Sequence, residues 1–284
     1  MTVQDRRSFI AAFGGGALAL ACGRWPGSAG LPLAHRHLDR IGIQLYTFRH
    51  QAAADLPGAL ARLAKIGFKE IEFWGSFKQT PAEIRTLLDQ NGLASPSVHI
   101  GLPSNPGALH KAFADATVMG QESIIVASLP SALATLDDWK KLAAQFNDAG
   151  SRASAAGFTF GFHNHTEGFK KIGGAAPFDV LVAETDPALV FFELDVHWAY
   201  AGGADPIELL TRYPTRFRML HVKDSSGPPD YTQTDVGAGT YPWAKILDVA
   251  GRNGIKHYFV EHDSPADPMG FAKTSYEYLT HLEF

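Results

Sequence analysis

Cysteine is almost missing from this chain. Cys22 is the single one in 284 residues, so no disulfide can close within the molecule and a thiolate metal cluster is excluded. Basic clustering is missing too: 25 Lys and Arg stand against 29 Asp and Glu, for a formal charge of -4, and no basic stripe forms, which excludes a phosphate-tracking nucleic-acid surface. A glycine-rich phosphate loop is also lacking. The first apolar strand runs into "LYTFRHQAAADLPG", which has none of the closely spaced glycines that an open dinucleotide-binding sheet requires. What remains is a composition of 45% hydrophobic and 19% charged residues, enough for one large core.

The first residues read as an address. Arg6 and Arg7 are followed by Phe9, a run of small apolar residues and Ala19-Leu20-Ala21, the small-x-small spacing cleaved by signal peptidases. This resembles a twin-arginine export signal over residues 1–21, and implies a periplasmic protein. Gly14-Gly15-Gly16 and the absence of a polar face argue against a core helix. Cys22 comes directly after the cleavage site and is a candidate for lipid anchoring, and residues 22–40, rich in Pro and Gly, read as a linker.

From residue 41 to 284 one unit repeats: short apolar strand, polar loop, amphipathic helix, glycine. The strands are "IGIQLYTF", "KEIEFWG", "SPSVHIGL", "SIIVASL", "FTFGFHNH", "VFFELDVHW", "RMLHVKD" and "HYFVEHD". Between them, "LPGALARLAKIGF" and "TPAEIRTLLDQNGL" open with Pro and close with Gly, as helices do. Strict alternation requires parallel pairing with right-handed crossovers, and eight units of this size close best into a single-domain (β/α)8 barrel.

Such a barrel carries its chemistry at the C-terminal ends of its strands, and side chains two apart share a face. His163 and His165 then point inward, as do Glu193, Asp195 and His197, Met219, His221 and Lys223, and Glu261 with Asp263; earlier strands add Gln44, Tyr46, Glu72, Trp74 and His99. Buried charge at this density needs partners or a cation. The expected metal ligands are His163, Asp195, His221 and Glu261, one from each of the last four strands. Nitrogen and oxygen donors suit Mn²⁺ or Zn²⁺ first, then Co²⁺ or Mg²⁺. Glu72 and Glu193 have a plainer reading, as buried ion-pair partners of Lys223 or Arg218.

The succession "FHNH", "ELDVHW", "LHVKD", "VEHD", preceded by "GIQLYTFR" and "GFKEIEFWG", resembles the xylose isomerase-like TIM barrels, the sugar phosphate isomerase and epimerase superfamily that also contains AP endonuclease family 2. There a divalent metal is held by Glu, Asp, His and Glu on the fifth to eighth strands. Asp195, His221 and Glu261 match three of these, and His163 stands where relatives carry the first Glu. The resemblance implies a sugar isomerase or epimerase that removes a proton beside a metal-polarised carbonyl, giving an enediolate. Glu261 is the expected base, Lys223, His197 and Glu167 the expected auxiliary proton or charge carriers, and His165, His99, Glu72, Trp74, Tyr46 and Trp198 the expected substrate contacts. Export points away from phosphorylated sugars, and therefore to an alternative: a lyase or hydrolase of 3-keto-glycosides supplied by a partner sugar dehydrogenase. A remoter alternative is a non-catalytic sugar-binding barrel. A DNA-repair relative would need a basic groove, which an acidic exported chain does not offer.

The export reading has a direct test. Replacing Arg6 and Arg7 with Lys should leave the precursor in the cytoplasm, as fractionation with an immunoblot would detect; periplasmic recovery of the variant at wild-type level would refute a twin-arginine route.

Overall fold

The structure is a computed structural model and describes residues 36–103, 105–130 and 133–284. The expected export signal and Cys22 lie outside the described residues. Eight parallel strands form a closed barrel: β1 (Gly42–Gln44), β2 (Glu70–Trp74), β3 (Ser97–Gly101), β4 (Ser123–Ser128), β5 (Thr159–His163), β6 (Val190–Asp195), β7 (Phe217–Val222) and β8 (His257–Val260), with β8 closing onto β1. The single-domain (β/α)8 architecture expected from the alternation is the one observed. Among the described residues, no helix is long and apolar enough to cross a membrane.

Local chemistry explains the helix boundaries. The helices Pro81–Gln90 and Leu136–Ala155 start at capping boxes, in which Thr80 and Thr135 exchange hydrogen bonds with Glu83 and Asp138 three residues on. Pro106–Met119 starts at an Asn105 cap and stops at Gly120, whose φ of 73° suits a left-handed C-terminal cap. The first helix is longer than its sequence pattern. It runs Arg49–Ile66, with a break at Asp55 two residues before Pro57, and the Asp55 carboxylate accepts the Gly58 N–H at 2.9 Å. Two strands are shorter than expected. "IGIQLYTF" leaves the sheet after Gln44 and winds into a 3-10 turn at Leu45–Phe48, while "VFFELDVHW" ends at Asp195, whose side chain caps a short helix, Val196–Ala201.

The segment read as linker is partly docked. Arg36 and Phe284 exchange both backbone hydrogen bonds, at 2.9 and 3.0 Å, and the Arg36 guanidinium pairs with Asp248.

Two apolar layers hold the barrel in shape. The larger packs the helices onto the outward face of the strands, with Phe160 and Phe162 of β5 among its buried residues. The smaller lies inside the barrel and consists of Ile125, Phe191, Met219 and Phe259. It plugs the lower interior and gives the polar layers above it a dry floor. Glycine makes room for it: a Cβ on Gly161 would come within 2.6 Å of the Phe191 ring, and one on Gly42 within 2.6 Å of Phe259. Neither strand position needs glycine for its backbone; each needs it for space. Gly161→Ala should therefore overpack the plug and cost about 1–3 kcal/mol, read from chemical denaturation; a variant as stable as the wild type would show that the ring has free room to move.

Candidate functional site

Above the apolar plug the inward side chains form two polar tiers. The lower one contains Glu72, His99, His163, Glu193 and His221, all buried. Its centre is a pair of carboxylate oxygens. Glu193 Oε2 lies 2.7 Å from His99 Nε2, 3.1 Å from His163 Nδ1 and 3.2 Å from His221 Nε2, while Glu72 Oε2 lies 2.7 Å from His221 Nε2 and 3.0 Å from His99 Nε2. Gln44 Nε2 donates to Glu72 at 2.8 Å, and Ser97 bonds its other oxygen. Glu72 and Glu193 are thus paired with imidazoles. The expected pairing with Lys223 or Arg218 does not occur for them; Arg218 is exposed, with its guanidinium 5.3 Å from the centre of the Phe191 ring.

The upper tier is organised around Lys223. Its ammonium sits 2.9 Å from Glu261 Oε2, 2.9 Å from Asp263 Oδ1 and 3.1 Å from Asp195 Oδ2, and lies 5.4 Å from the centre of the Trp198 ring. Burial alone would drive a lysine proton off, but three carboxylates outweigh it and hold the Lys223 pKa above its ordinary value. The same contact works in reverse on Glu261: burial pushes it up, yet Lys223 and His221 keep the carboxyl well below the usual range. For Asp195 burial wins over Lys223 and the pKa is raised.

The opening of the tiers depends on the "HNH" stretch. His163 faces the barrel axis; Asn164 points sideways, accepting the Asp195 N–H at 2.9 Å and donating to the Asp195 carbonyl at 3.2 Å, and so locks the end of β5 to the end of β6. His165 emerges in the cavity above. Burial first, then Lys223, lowers its pKa and keeps the imidazole neutral.

That cavity measures about 630 Å³ and is lined by Tyr46, Trp74, His99, His163, His165 and Trp198, with Lys223, Glu261 and Asp263 at its polar side. Of the expected substrate contacts, five therefore converge here, and Glu72 lies beneath them, fully buried. His197 is elsewhere. Because Asp195 starts a helix, the residue after next no longer obeys the strand's alternation; His197 is buried behind Trp198, with Nδ1 3.2 Å from the Tyr241 hydroxyl, and burial, then Lys223, pushes its pKa down to about 4. Glu167 is exposed on a 3-10 turn, Thr166–Gly168, and does not line the cavity. The site also contains Glu193 and Asn164, which the expected set does not include. Their signals are the E-x-D spacing ahead of Asp195 and the asparagine between two inward histidines.

The donor chemistry fits a divalent cation. One oxygen or nitrogen from each of Asp195, His221 and Glu261 lies within 4.8 Å of the others, as does one from each of His99, His163, Glu193 and His221. Asp195 Oδ2 is buried with no hydrogen-bond partner among the described residues, despite its nearness to Lys223, and His163 Nε2 lies 3.6 Å from it. Sulfur is absent from both sets, and mixed imidazole and carboxylate donors suit the transition metals. Asp195, His221 and Glu261 of the expected ligands thus form one donor set, and His163 belongs to the other, with His221 common to both.

Removing the resident ammonium exposes the cost of this arrangement. Lys223→Met should leave Asp195, Glu261 and Asp263 without their cation and destabilise the metal-free protein by roughly 3–5 kcal/mol, measured by denaturation in the presence of chelator. An unchanged midpoint would mean that the three carboxylates are already neutral.

Comparison with known proteins places these features in a family. The family model described as xylose isomerase-like TIM barrel matches residues 60–280. Inosose dehydratase from Geobacillus kaustophilus (strain HTA426) is 28% identical over 217 residues, which cover 65% of this chain and 69% of that protein. The crystal structure of a sugar phosphate isomerase/epimerase from Parabacteroides distasonis superimposes with a TM-score of 0.77 at 27% identity, covering 90% of this chain and 98% of that one. The IolI protein, crystallised with a zinc atom, shares the fold at a TM-score of 0.67 and 12% identity, over 84% and 95% of the two chains. The chain belongs to the xylose isomerase-like TIM barrel family.

Proposed function

We propose that the protein is a metal-dependent carbon–oxygen lyase that removes the proton beside the ketone of an unphosphorylated keto-sugar, keto-glycoside or keto-cyclitol and expels an oxygen leaving group. The observation that carries this reading is the one-sidedness of the cavity. Both of its carboxylates, Glu261 and Asp263, come from the β8 side, whereas the facing wall of β4 and β5 offers Ala127, Ser128, His163 and His165. An epimerase relay through two metal-bound glutamates requires carboxylates on both faces of the sugar, and His163 stands in place of the second. One base and a separate proton donor are what an elimination needs. The relative named inosose dehydratase supports the same choice, since a dehydratase expels water. The isomerase reading shares the first proton transfer and differs in the fate of the intermediate, which would be reprotonated rather than lose an oxygen.

A divalent ion held by Asp195, His221, Glu261 and His163 would polarise the substrate ketone as a Lewis acid. Glu261 is kept ionised by Lys223 and is open to the cavity, so it takes the proton. His165, neutral, has one N–H to give to the departing oxygen. Tyr46 and Trp74, edge to face at 5.4 Å, supply an apolar surface for the ring of the substrate. Lys223 is the one Lys or Arg among the described lining residues and is already engaged by three carboxylates, and His99, whose pKa against burial is raised by Glu72 and Glu193 to about 9, is engaged by those two acids, which leaves no free cation to balance a phosphate. An uncharged substrate fits a periplasmic location, and a dehydrogenase working beforehand would provide the ketone.

Incubation of metal-loaded protein with 3-keto-glycosides and cyclic polyol ketones in deuterated water, with products read by NMR, separates the outcomes. Loss of water or alcohol to give an unsaturated ketone is expected; a deuterated epimer or ketose with every oxygen retained would overturn the lyase reading. Glu261→Gln should lower turnover by about 10²- to 10⁴-fold with an unchanged near-ultraviolet circular dichroism spectrum. Full activity in that variant would remove Glu261 from the role of base.

A further inference from the structure

The lower tier reaches the cavity through His99 and His163, while Glu193 lies beneath it. His163 and His221 each turn one ring nitrogen down and one up. For His163, Nδ1 faces Glu193 Oε2 at 3.1 Å and Nε2 faces Asp195 Oδ2 at 3.6 Å. For His221 the order is reversed: Nε2 faces Glu72 at 2.7 Å and Glu193 at 3.2 Å, and Nδ1 faces Glu261 at 2.7 Å. An imidazole can offer a lone pair at one nitrogen only if its proton is settled on the other, and a buried carboxylate is the acceptor that settles it.

We infer that Glu193 is a positioning residue of the metal centre: its Oε2 accepts the downward N–H of His163 and flanks, at 3.2 Å, that of His221, whose nearer acceptor is Glu72, so that the upward nitrogens of the two rings are held toward Asp195 and Glu261, where an ion would take their lone pairs. The inference rests on the metal part of the function proposed above. Glu72 shares the work for His221 alone and is itself held by Gln44 and Ser97. Glu193 has no such support, because its other oxygen, Oε1, is buried with no hydrogen-bond partner among the described residues. The whole of its bonding is therefore spent on imidazoles. His99, on the third side of the same oxygen, prevents the carboxylate from turning away, with its ring stacked on that of His221 at 5.2 Å.

The test is metal affinity of the folded protein, which needs no substrate. Metal-free wild type, Glu193→Gln and Glu72→Gln would be titrated with Co²⁺, monitoring the visible absorption of the bound ion and the heat of binding. Glu193→Gln should bind on the order of 10- to 100-fold more weakly with an altered Co²⁺ spectrum, and Glu72→Gln should lose less, because only one ring depends on it. A folded Glu193→Gln variant with wild-type affinity and spectrum overturns the inference: a merely structural glutamate would lower the melting temperature of the metal-free protein and leave the ion's surroundings unchanged. If Glu193→Gln does not fold, Glu72→Gln decides, since unchanged affinity there refutes a carboxylate hold on His221. A wild type that takes up no Co²⁺ would sink the metal reading itself, and this inference with it. Lyase activity does not enter any of these outcomes.

Discussion

Everything in this barrel is arranged around the problem of keeping ionised carboxylates out of water. Glu72, Glu193, Asp195 and Glu261 are buried and Asp263 half-buried within two adjoining tiers. An isolated buried charge is prohibitive, so each acid must find a cation or a hydrogen-bond donor. Lys223 serves the upper tier and the imidazoles serve the lower. The two solutions differ in kind. The ammonium is a point charge shared among three acids, whereas the imidazoles are directional and pass one nitrogen to each tier. Asp195, whose Oδ2 has no hydrogen-bond partner among the described residues, lies where a divalent ion would complete the balance.

The apolar plug beneath makes this electrostatics effective. Phe191 and Phe259 fill the lower barrel because Gly161 and Gly42 leave them space, and with Ile125 and Met219 they exclude solvent from below. In such a setting hydrogen bonds and ion pairs are stronger, and a missing partner is more costly, than at a surface. The clamp of Asn164 on Asp195 belongs to the same design: it fixes the relative height of β5 and β6, and hence the spacing of His163 from Asp195.

Much of this is legible in the sequence because strands have a period of two. Once "FTFGFHNH" is read as a strand with Phe160 and Phe162 outward, His163 must face the axis, and the same rule brings Glu72, His99, Glu193, Asp195, His221 and Glu261 together. The rule fails where the strand stops. Alternation assigns His197 to the interior, but Asp195 caps a helix and rotates the residues beyond it; helix capping by a carboxylate that also looks like a metal ligand is ambiguous in sequence. Glu167 is close to "FHNH" along the chain, yet a turn carries it to the surface. The partners of Glu72 and Glu193 are not legible either, because alternation assigns a side chain to a face and leaves its height along the axis undetermined. That height depends on the stagger between strands.

The two walls of the cavity differ, and the difference bears on stereochemistry. With its acids on the β8 wall and its imidazoles and small residues opposite, the mouth has a side that takes a proton and a side that gives one, and a ring seated against Tyr46 and Trp74 would turn one face only toward Glu261. Under the proposed chemistry this makes the catalyst facially selective. Hydrogens on one face of the ring would be acidic toward this enzyme and their mirror-disposed counterparts inert, so that of two diastereomeric substrates only one would ever react.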